Sequence, residues 1–414
     1  MTSLTLLLWI AAGILLQLAT YLSFVFWRHW TNYQALPERE VGQAEQPGVE
    51  VAASGFGSFR VDHKVFEDAA LSICSFYLVP ENGQPLPPFL PGQFLTFRLD
   101  VPTATGEREQ IVRCYSLSDA PRPDCYRITI KRVPPPPGSD APPGLSSNYF
   151  HDHISIGNLL QVRAPSGHFH IDRGDSPVVL IAGGIGITPM LSMLNWCLTH
   201  QPEREVWLFY GVRNSRELAM NSHLESLAKA HANFHLWVCM SNPIDDDVAG
   251  SDYRHAGRID ISLLRAQLPL KPYHFYLCGP ARMLETLVPA LEEWGVPDER
   301  IHFEAFGPAS VKRRSEKAAA SVVQNEKSSA DIQVNFSLSG KQLPWQPSAN
   351  SLLEFAEAHG VPVNSGCRTG SCGSCQTKLR TGEVSYRQPP DYDPEPGTCL
   401  PCVCTPKTSI TLEL

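Results

Sequence analysis

The sequence has no basic block, and its acids outnumber its bases: 42 Asp and Glu against 34 Lys and Arg, for a formal net charge of −8. Such a chain offers no electrostatic footprint for a phosphate backbone, so nucleic acid is not expected among its partners. Cysteine is too sparse for a disulfide scaffold, with 12 in 414 residues. Charged residues are 18% of the chain and hydrophobic ones 43%, which excludes wholesale disorder. At roughly 150 residues per domain, the length suggests about three domains. Proline is in excess, 36 in all. Runs such as Pro134–Pro137 read as stiff loops rather than as recruitment motifs.

Leu4 to Trp27 carries no charge. As a helix it would measure about 36 Å, enough for a hydrocarbon core of roughly 30 Å. Tyr21, Trp27 and Trp30 sit where an aromatic belt would lie. A cleaved signal peptide would need a basic start and small residues at a cleavage site. Met1-Thr2-Ser3 has no base and Ser23 to Trp27 is bulky. The expectation is a transmembrane helix over 4–27 and a spacer over 28–55. Arg28 and His29 follow the span and no Lys or Arg precedes it, so the soluble domains are expected on the cytoplasmic face of an inner or plasma membrane.

From Phe56 the chain runs in short alternating, β-branched and aromatic segments: Phe59 to Phe66, Gln93 to Leu99, Ile111 to Leu117, Tyr126 to Val133 and Leu159 to Val162. Gly and Pro separate them, which reads as an antiparallel barrel over 56–172. At Pro177 the texture changes. Val178 to Ala182 is a continuous apolar run, expected of a parallel strand buried on both faces. Helical and strand patterns then alternate: helix Pro189–His200, strand Glu205–Tyr210, helix Ser215–Ala230, strand Phe234–Met240, helix Asp260–Gln267 capped by Asp260, strand His274–Cys278, helix Ala281–Trp294 and strand Ile301–Phe306. The reading is a doubly wound α/β domain over 173–307. Residues 308–330 lack a core pattern and read as a flexible linker. A last domain of 331–414 is small enough to benefit from a metal staple.

Six of the 12 cysteines fall in that last domain. Cys367, Cys372 and Cys375 are spaced C-x4-C-x2-C, the plant-type [2Fe–2S] pattern, which needs a fourth thiolate downstream. Gly366, Gly370, Ser371, Gly373 and Ser374 keep the loop small, so that backbone N–H groups can turn onto the sulfurs. A zinc knuckle does not suit the x4 gap or the glycines, and disulfides do not suit a reducing compartment. Cys399, Cys402 and Cys404 are all near enough to supply the fourth ligand. The segment resembles plant-type ferredoxins, whose last ligand is followed by three residues and a proline. Cys402 with Pro406 fits that rule, and the resemblance implies a β-grasp fold. Cys74, Cys114, Cys125, Cys197 and Cys239 read as buried small hydrophobes. His151 with His153, and His168 with His170, alternate in stretches read as extended. With no third ligand evident they read as exposed barrel-surface histidines rather than a metal site.

Gly183-Gly184-Ile185-Gly186-Ile187-Thr188-Pro189 follows the buried strand and opens a helix. Its glycines allow close approach of a pyrophosphate, Thr188 can cap, and Pro189 suits a first helical position. Pro189 stands where a third glycine of the dinucleotide fingerprint would be. With Cys278-Gly279-Pro280 and Arg113-Cys114-Tyr115-Ser116-Leu117-Ser118, residues 56 to 307 resemble the ferredoxin–NADP reductase superfamily. Gly144 to Asp152 and Phe303 to Pro308 look most like the reductase half of flavohaemoglobins. No globin-like segment is read before them, so nitric oxide dioxygenation is not expected.

That resemblance implies roles. Arg113 would pair a flavin phosphate, Tyr115 would stack on the ring and Ser116 would approach its N5. Gly144, Ser146 and Ser147 would bind the pyrophosphate, with Ser118 and Lys131 in the same binding set. Gly183, Gly184, Gly186, Thr188, Pro189, Cys278, Gly279 and Pro280 would hold the nicotinamide nucleotide. Cys278, Glu304 and Phe306 would surround hydride transfer, with Ser116. The Gly144–Asp152 segment favours FAD over FMN. Where NADPH-using members carry Ser-Arg, this chain has Ser241-Asn242 and then Asp245, Asp246 and Asp247. The lost cation and three carboxylates favour NADH, although Arg213 and Arg216 lie nearby.

No residue set reads as an organic-substrate site, an oxygen-activating centre or a nucleophile. The expected function is therefore a membrane-tethered reductase, passing electrons from NAD(P)H to FAD, to one [2Fe–2S] cluster and on to an oxygenase, desaturase or similar partner. The same domain order is found in reductases of bacterial oxygenase systems and of hybrid cluster protein. An NADH:quinone reductase-type respiratory subunit is the alternative, although its ferredoxin domain comes first. A redox-sensing or scaffolding membrane protein, with the cluster outside the electron path, is a third.

Overall fold

The computed structural model describes residues 17, 55–102, 106–135, 138, 142–306, 332–347, 349–386, 390 and 392–414. The expected membrane helix, apart from Gln17, most of the spacer and the expected linker lie outside the described residues. Among the described residues no helix is long and apolar enough to cross a membrane.

Six strands form the first sheet: β1 (Gly57–Phe66), β2 (Ile73–Pro80), β3 (Phe94–Pro102), β4 (Arg108–Ser116), β5 (Tyr126–Lys131) and β6 (Leu159–Ser166). They pair antiparallel in the order β4-β3-β6-β1-β2-β5. A Leu117–Ile128 bridge and a 2.8 Å bond from Ser118 N to Arg127 O join the two ends and close the sheet into a barrel. Helix α1 (Leu145–His153) drives Phe150 into this core, edge-on to Phe76, Phe97 and Tyr115 at 5.2–5.5 Å between centroids.

Two local expectations are corrected here. Strand β2 is missing from the reading because its pattern does not alternate. It lies between β1 and β5, and its buried Ser75 hydroxyl is satisfied by Thr129 Oγ1 at 2.8 Å. His151 and His153 lie on a helix, not an extended stretch, and His151 is buried rather than exposed. Its Nε2 meets Ile130 O at 3.0 Å, while Nδ1 is enclosed without a hydrogen-bond partner. The segment is rich in Ser, Asn, His and Asp, poor helix formers, so only packing of Phe150 and the helix's place over the barrel make it helical. His168 is exposed as expected, and His170 is half-buried.

The second sheet is wholly parallel, in the order β10-β9-β8-β7-β11-β12. Its strands are β7 (Val178–Gly183), β8 (Val206–Val212), β9 (Phe234–Met240), β10 (His255–Ala256), β11 (His274–Gly279) and β12 (Ile301–Ala305). Helices α2 (Ile187–His200) and α3 (Asn221–Ala230) cover one face, where Met190, Leu194 and Leu224 meet Leu180 and Leu208. Helices α4 (Ile261–Gln267) and α5 (Ala281–Glu293) cover the other, where Leu264, Leu284 and Leu287 meet Val179, Phe209 and Leu277. Asp260 caps α4 as expected, accepting from Leu263 N at 2.8 Å. The helix expected over 215–230 is two pieces, a 3₁₀ turn at Ser215–Glu217 and then α3. Met220 at φ 58° breaks them. Strand order reverses between β7 and β11, so their carboxyl ends form the crevice where ligands of such sheets bind.

The remaining strands are β13 (Gln333–Phe336), β14 (Lys341–Pro344), β15 (Thr377–Thr381), β16 (Val384–Tyr386), β17 (Thr398–Cys399), β18 (Cys404–Pro406) and β19 (Ile410–Leu412). Five make a mixed sheet, β14-β13-β19-β15-β17, and β16 pairs with β18. Helix α6 (Leu352–Ala358), capped by Ser351, buries Leu352 and Phe355 against Val334, Phe336 and Leu412. The segment from α6 to β15 carries the first three cysteines of the cluster motif.

Candidate functional site

A cavity of about 570 Å³ lies where the barrel, the carboxyl end of the parallel sheet and the cysteine segment meet. That volume suits a cofactor or drug-sized ligand. Strand β4 supplies Arg113, Cys114, Tyr115 and Ser116, β5 supplies Lys131, and the start of α1 supplies Gly144, Ser146 and Ser147. Thr188 comes from the first turn of α2, Glu304 from β12 and Phe306 from just beyond it, while Cys367 comes from the cysteine segment.

The α1 terminus explains itself from Gly144. A Cβ there would meet Val133 Cβ at 2.8 Å and Ser147 Oγ at 2.9 Å, so the close turn admits only glycine. No acid occupies the first turn, and Gly144, Leu145, Ser146 and Ser147 at this helix end line the cavity, where an anion would be favoured. Tyr115 OH and Ser146 Oγ are 2.7 Å apart, and burial pushes the Tyr115 phenol up to about 12. Arg113 Nη1 donates to Val112 O at 2.7 Å. Lys131 Nζ pairs with Glu217 Oε2 at 2.9 Å, and Glu217 also holds Arg213.

Other members of the expected set lie elsewhere. Ser118 is fully buried and does not line the cavity, its hydroxyl bonded to Arg127 O and to Oγ1 of Thr129, which does. Gly183, Gly184, Gly186, Pro189, Cys278, Gly279 and Pro280 are beside the cavity but do not line it. At Gly186 a Cβ would fall 2.1 Å from Cys278 O, so this glycine lets β11 approach the turn after β7. Thr188 does not cap α2. Its hydroxyl donates back to Ile185 O at 3.1 Å, and Gly186 holds the cap position. Pro189 is the third residue of α2, not the first.

Cys278 is fully buried and pairs in register with Glu304. Burial pushes the Glu304 carboxyl up to about 8, and its enclosed Oε2 has no hydrogen-bond partner. The half-buried Glu304 thus presents to the cavity a carboxyl whose charged form burial disfavours.

The cysteine segment turns donors onto sulfur. Cys367 Sγ accepts from Thr369 N, Ser371 N and Cys372 N at 3.2–3.4 Å, and Cys372 Sγ accepts from Cys367 N at 3.2 Å. Ser374 Oγ is 3.1 Å from Cys372 Sγ. Cys375 and Cys402 sulfurs lie 3.2 Å apart. Cys399 and Cys404 are neighbours in the apolar core instead. The four thiols therefore fall into two pairs, Cys367 with Cys372 and Cys375 with Cys402. Among the described residues no three His, Cys, Asp or Glu side chains converge on one ion, and a two-iron cluster asks for two thiolates per iron rather than four on one. The donor set fits such a cluster.

Two neighbours of the site were not legible beforehand: Ser365 and Arg368 line the cavity beside Cys367, together with Gly366, which the sequence placed only in the cluster loop. Arg368 sits at φ 62° and is tied to Glu357. The only local signal was adjacency to the first cysteine. Cys114, read as a core residue, instead lies against Cys372 and Thr96.

Residues 64–171 match the oxidoreductase FAD-binding domain, 180–288 the oxidoreductase NAD-binding domain and 335–407 the 2Fe-2S iron-sulfur cluster binding domain. The flavohemoprotein of Halalkalibacterium halodurans is 40% identical over 255 residues, 61% of this chain and 60% of that protein. The chain thus spans about three fifths of the flavohemoproteins it matches. The flavohem-like FAD/NAD binding domain of nitric oxide dioxygenase from Vibrio cholerae O1 biovar El Tor is 30% identical, with a TM-score of 0.53. The match covers 61% of this chain and 100% of that one. Phthalate dioxygenase reductase is 29% identical over 87% of this chain and 98% of its own, with a TM-score of 0.50. Fold, cavity and these matches define an NAD(P)H-dependent oxidoreductase with FAD-, NAD- and [2Fe–2S]-binding domains. The chain belongs to the flavohem-like FAD/NAD-binding family and carries a 2Fe-2S domain after that module.

Proposed function

We propose that this protein is a membrane-anchored reductase that delivers electrons from NADH, through FAD and one [2Fe–2S] cluster, to an oxygenase or desaturase component. One observation carries the reading. A single cavity is lined at once by the barrel's Tyr115 and Ser116, by Glu304 and Phe306 from the end of the parallel sheet, and by Cys367 of the cluster segment. When bound, the cofactors supply hydride acceptance, a change from two-electron to one-electron steps, and one-electron storage.

The chain's residues supply the rest. Arg113 and the α1 end with Gly144, Ser146 and Ser147 take the flavin's phosphates. Tyr115 and Phe306 bracket the ring, and Ser116 donates toward its reactive edge. Glu304 holds a proton at Oε2 against the cavity. Gly183, Gly184, Gly186, Thr188 and Pro189, with Cys278, Gly279 and Pro280 at the crevice, receive the nicotinamide nucleotide. Cys367, Cys372, Cys375 and Cys402 hold the cluster. The preference for NADH is supported by Glu217, which occupies both Arg213 and Lys131 and leaves them less available to a 2′-phosphate.

The oxygenase partner is supported by the likeness to phthalate dioxygenase reductase, a modular structure for electron transfer from pyridine nucleotides to [2Fe–2S]. The anchor over 4–27, the cytoplasmic placement and the domain limits 56–172, 173–307 and 331–414 rest on the sequence reading. An anaerobic absorbance titration of the detergent-solubilised protein with NADH, then NADPH, tests the scheme. Flavin bleaching followed by fading of the iron–sulfur bands, faster with NADH, is expected. A bleached flavin beside a cluster that stays oxidised would overturn the internal route.

A further inference from the structure

The cysteine segment and the barrel are more than 200 residues apart in sequence, yet they meet through one guanidinium. Arg163 stands on β6, opposite Thr96 of β3. Its Nη1 donates to the carbonyl of Cys372 at 2.7 Å. The guanidinium carbon is 4.7 Å from the ring centre of Phe56 and 5.2 Å from that of Tyr392. Phe56 belongs to the barrel side and is also capped by Arg98 at 3.9 Å. Tyr392 belongs to the cluster side, and its N–H donates to Gly370 O at 3.1 Å. Arg163 Nε is enclosed without an acceptor among the described residues. Beside it, the Cys114 thiol of β4 lies against Cys372. Tyr115, the next residue, lines the flavin-sized cavity.

We propose that Arg163 is a positioning residue that latches the cysteine loop to the barrel, holding the Cys367–Cys372 side at the edge of the cavity. The inference rests on the electron route proposed above. A charged hydrogen bond to a carbonyl, backed by two aromatic faces, is strong enough to set an orientation yet lacks the permanence of a buried core. Electron tunnelling falls off exponentially with the gap, so the latch governs the step into the cluster and leaves the nucleotide end untouched.

Arg163→Ala should bleach its flavin with NADH at the wild-type rate while the later fading of the iron–sulfur bands slows about tenfold, the weight of one charged hydrogen bond. Arg163→Lys should recover part of that rate, since it keeps the charge but not the planar fork. Tyr392→Leu removes the latch from the other side and should give the same split. It also decides the matter if Arg163→Ala does not retain flavin. Hydrogen exchange of the full-length oxidised protein, without nucleotide, should rise in both variants over 159–166 and 366–375. Wild-type cluster reduction and unchanged exchange in both variants would overturn the latch. If the wild-type cluster itself stays oxidised, the electron route fails instead. Exchange then judges the latch alone, raised exchange upholding it and unchanged exchange overturning it.

Discussion

Six cysteines lie in the barrel and parallel sheet, and six in the last 48 residues; the two groups show what burial alone does to a thiol and what burial with donors does. Cys74 is pushed up to about 11, and Cys197 and Cys239 to about 12, in each case chiefly by burial in apolar surroundings. They are inert packing groups. In the cysteine loop the direction reverses at two positions. Hydrogen bonds from Cys114 and then Cys367 pull Cys372 down, and a hydrogen bond from Cys402 pulls Cys375 down, against the cost of burial. Cys399 and Cys404 are in the same segment, yet Cys404 is pushed up, first by its hydrogen bond to Cys399 and then by burial. Cys367 and Cys402 are pushed up in the same way, each first by the hydrogen bond to its paired thiol, so within the segment the direction follows which thiol of a pair keeps its proton. Two carboxylates repeat the contrast. Glu304, buried without a donor, is raised, whereas in Asp172 the charge and hydrogen bond of Arg204, with the hydroxyl of Tyr276, outweigh burial and lower it.

The strongest way to break this comparison is to exchange cysteines within the last segment. Cys402→Ser should abolish the iron–sulfur absorption and the bound iron, since cluster binding is folding free energy for a small domain. Cys404→Ser should keep both and cost about 1–2 kcal/mol of stability. Visible spectra and iron analysis distinguish them, and the opposite pattern would move the fourth ligand.

The carboxylates sharpen the point through pH. A group raised in the fold contributes stability that is intact below its ordinary value, here 4.5, and is lost as pH rises through about 8. Wild-type protein should therefore fall in melting temperature relative to Glu304→Gln as pH climbs across that window. Parallel curves for the two proteins would count against a buried, unpartnered Glu304. His151 has the opposite slope. Burial chiefly lowers it from 6.5, so its contribution is complete above 6.5 and fades as pH falls below that. His151→Gln should flatten the acid limb, read from the same melting curves. The smallest effect is Cys74→Ala. It should cost about 1 kcal/mol in denaturant unfolding and leave flavin and iron content unchanged.

Much of this architecture was legible because the signals are local. Val178 to Ala182 reads as a doubly buried strand from its own composition, and Asp260 reads as a cap from its neighbours. The loop with Cys367, Cys372 and Cys375 reads as a cluster site because three ligands and their small spacers are contiguous. Strand β2 and helix α1 did not read, since Ser75 is satisfied by a strand 54 residues away and α1 is held by Phe150 packing into the barrel. The glycines after β7 read as ligand contacts, yet Gly186 is demanded by the end of β11.

By itself the sequence determined the alternation of most barrel strands, the parallel α/β texture and the cluster spacing. Each of these follows from side-chain periodicity or from ligands within a few residues of one another. Only the tertiary structure decided which sulfur meets Cys375, which residues of the cysteine segment reach the cavity, and that Arg163 bridges barrel and loop. Those contacts join residues 27 to 209 positions apart, and no local pattern encodes a distance that only the packing of sheets brings within hydrogen-bond reach.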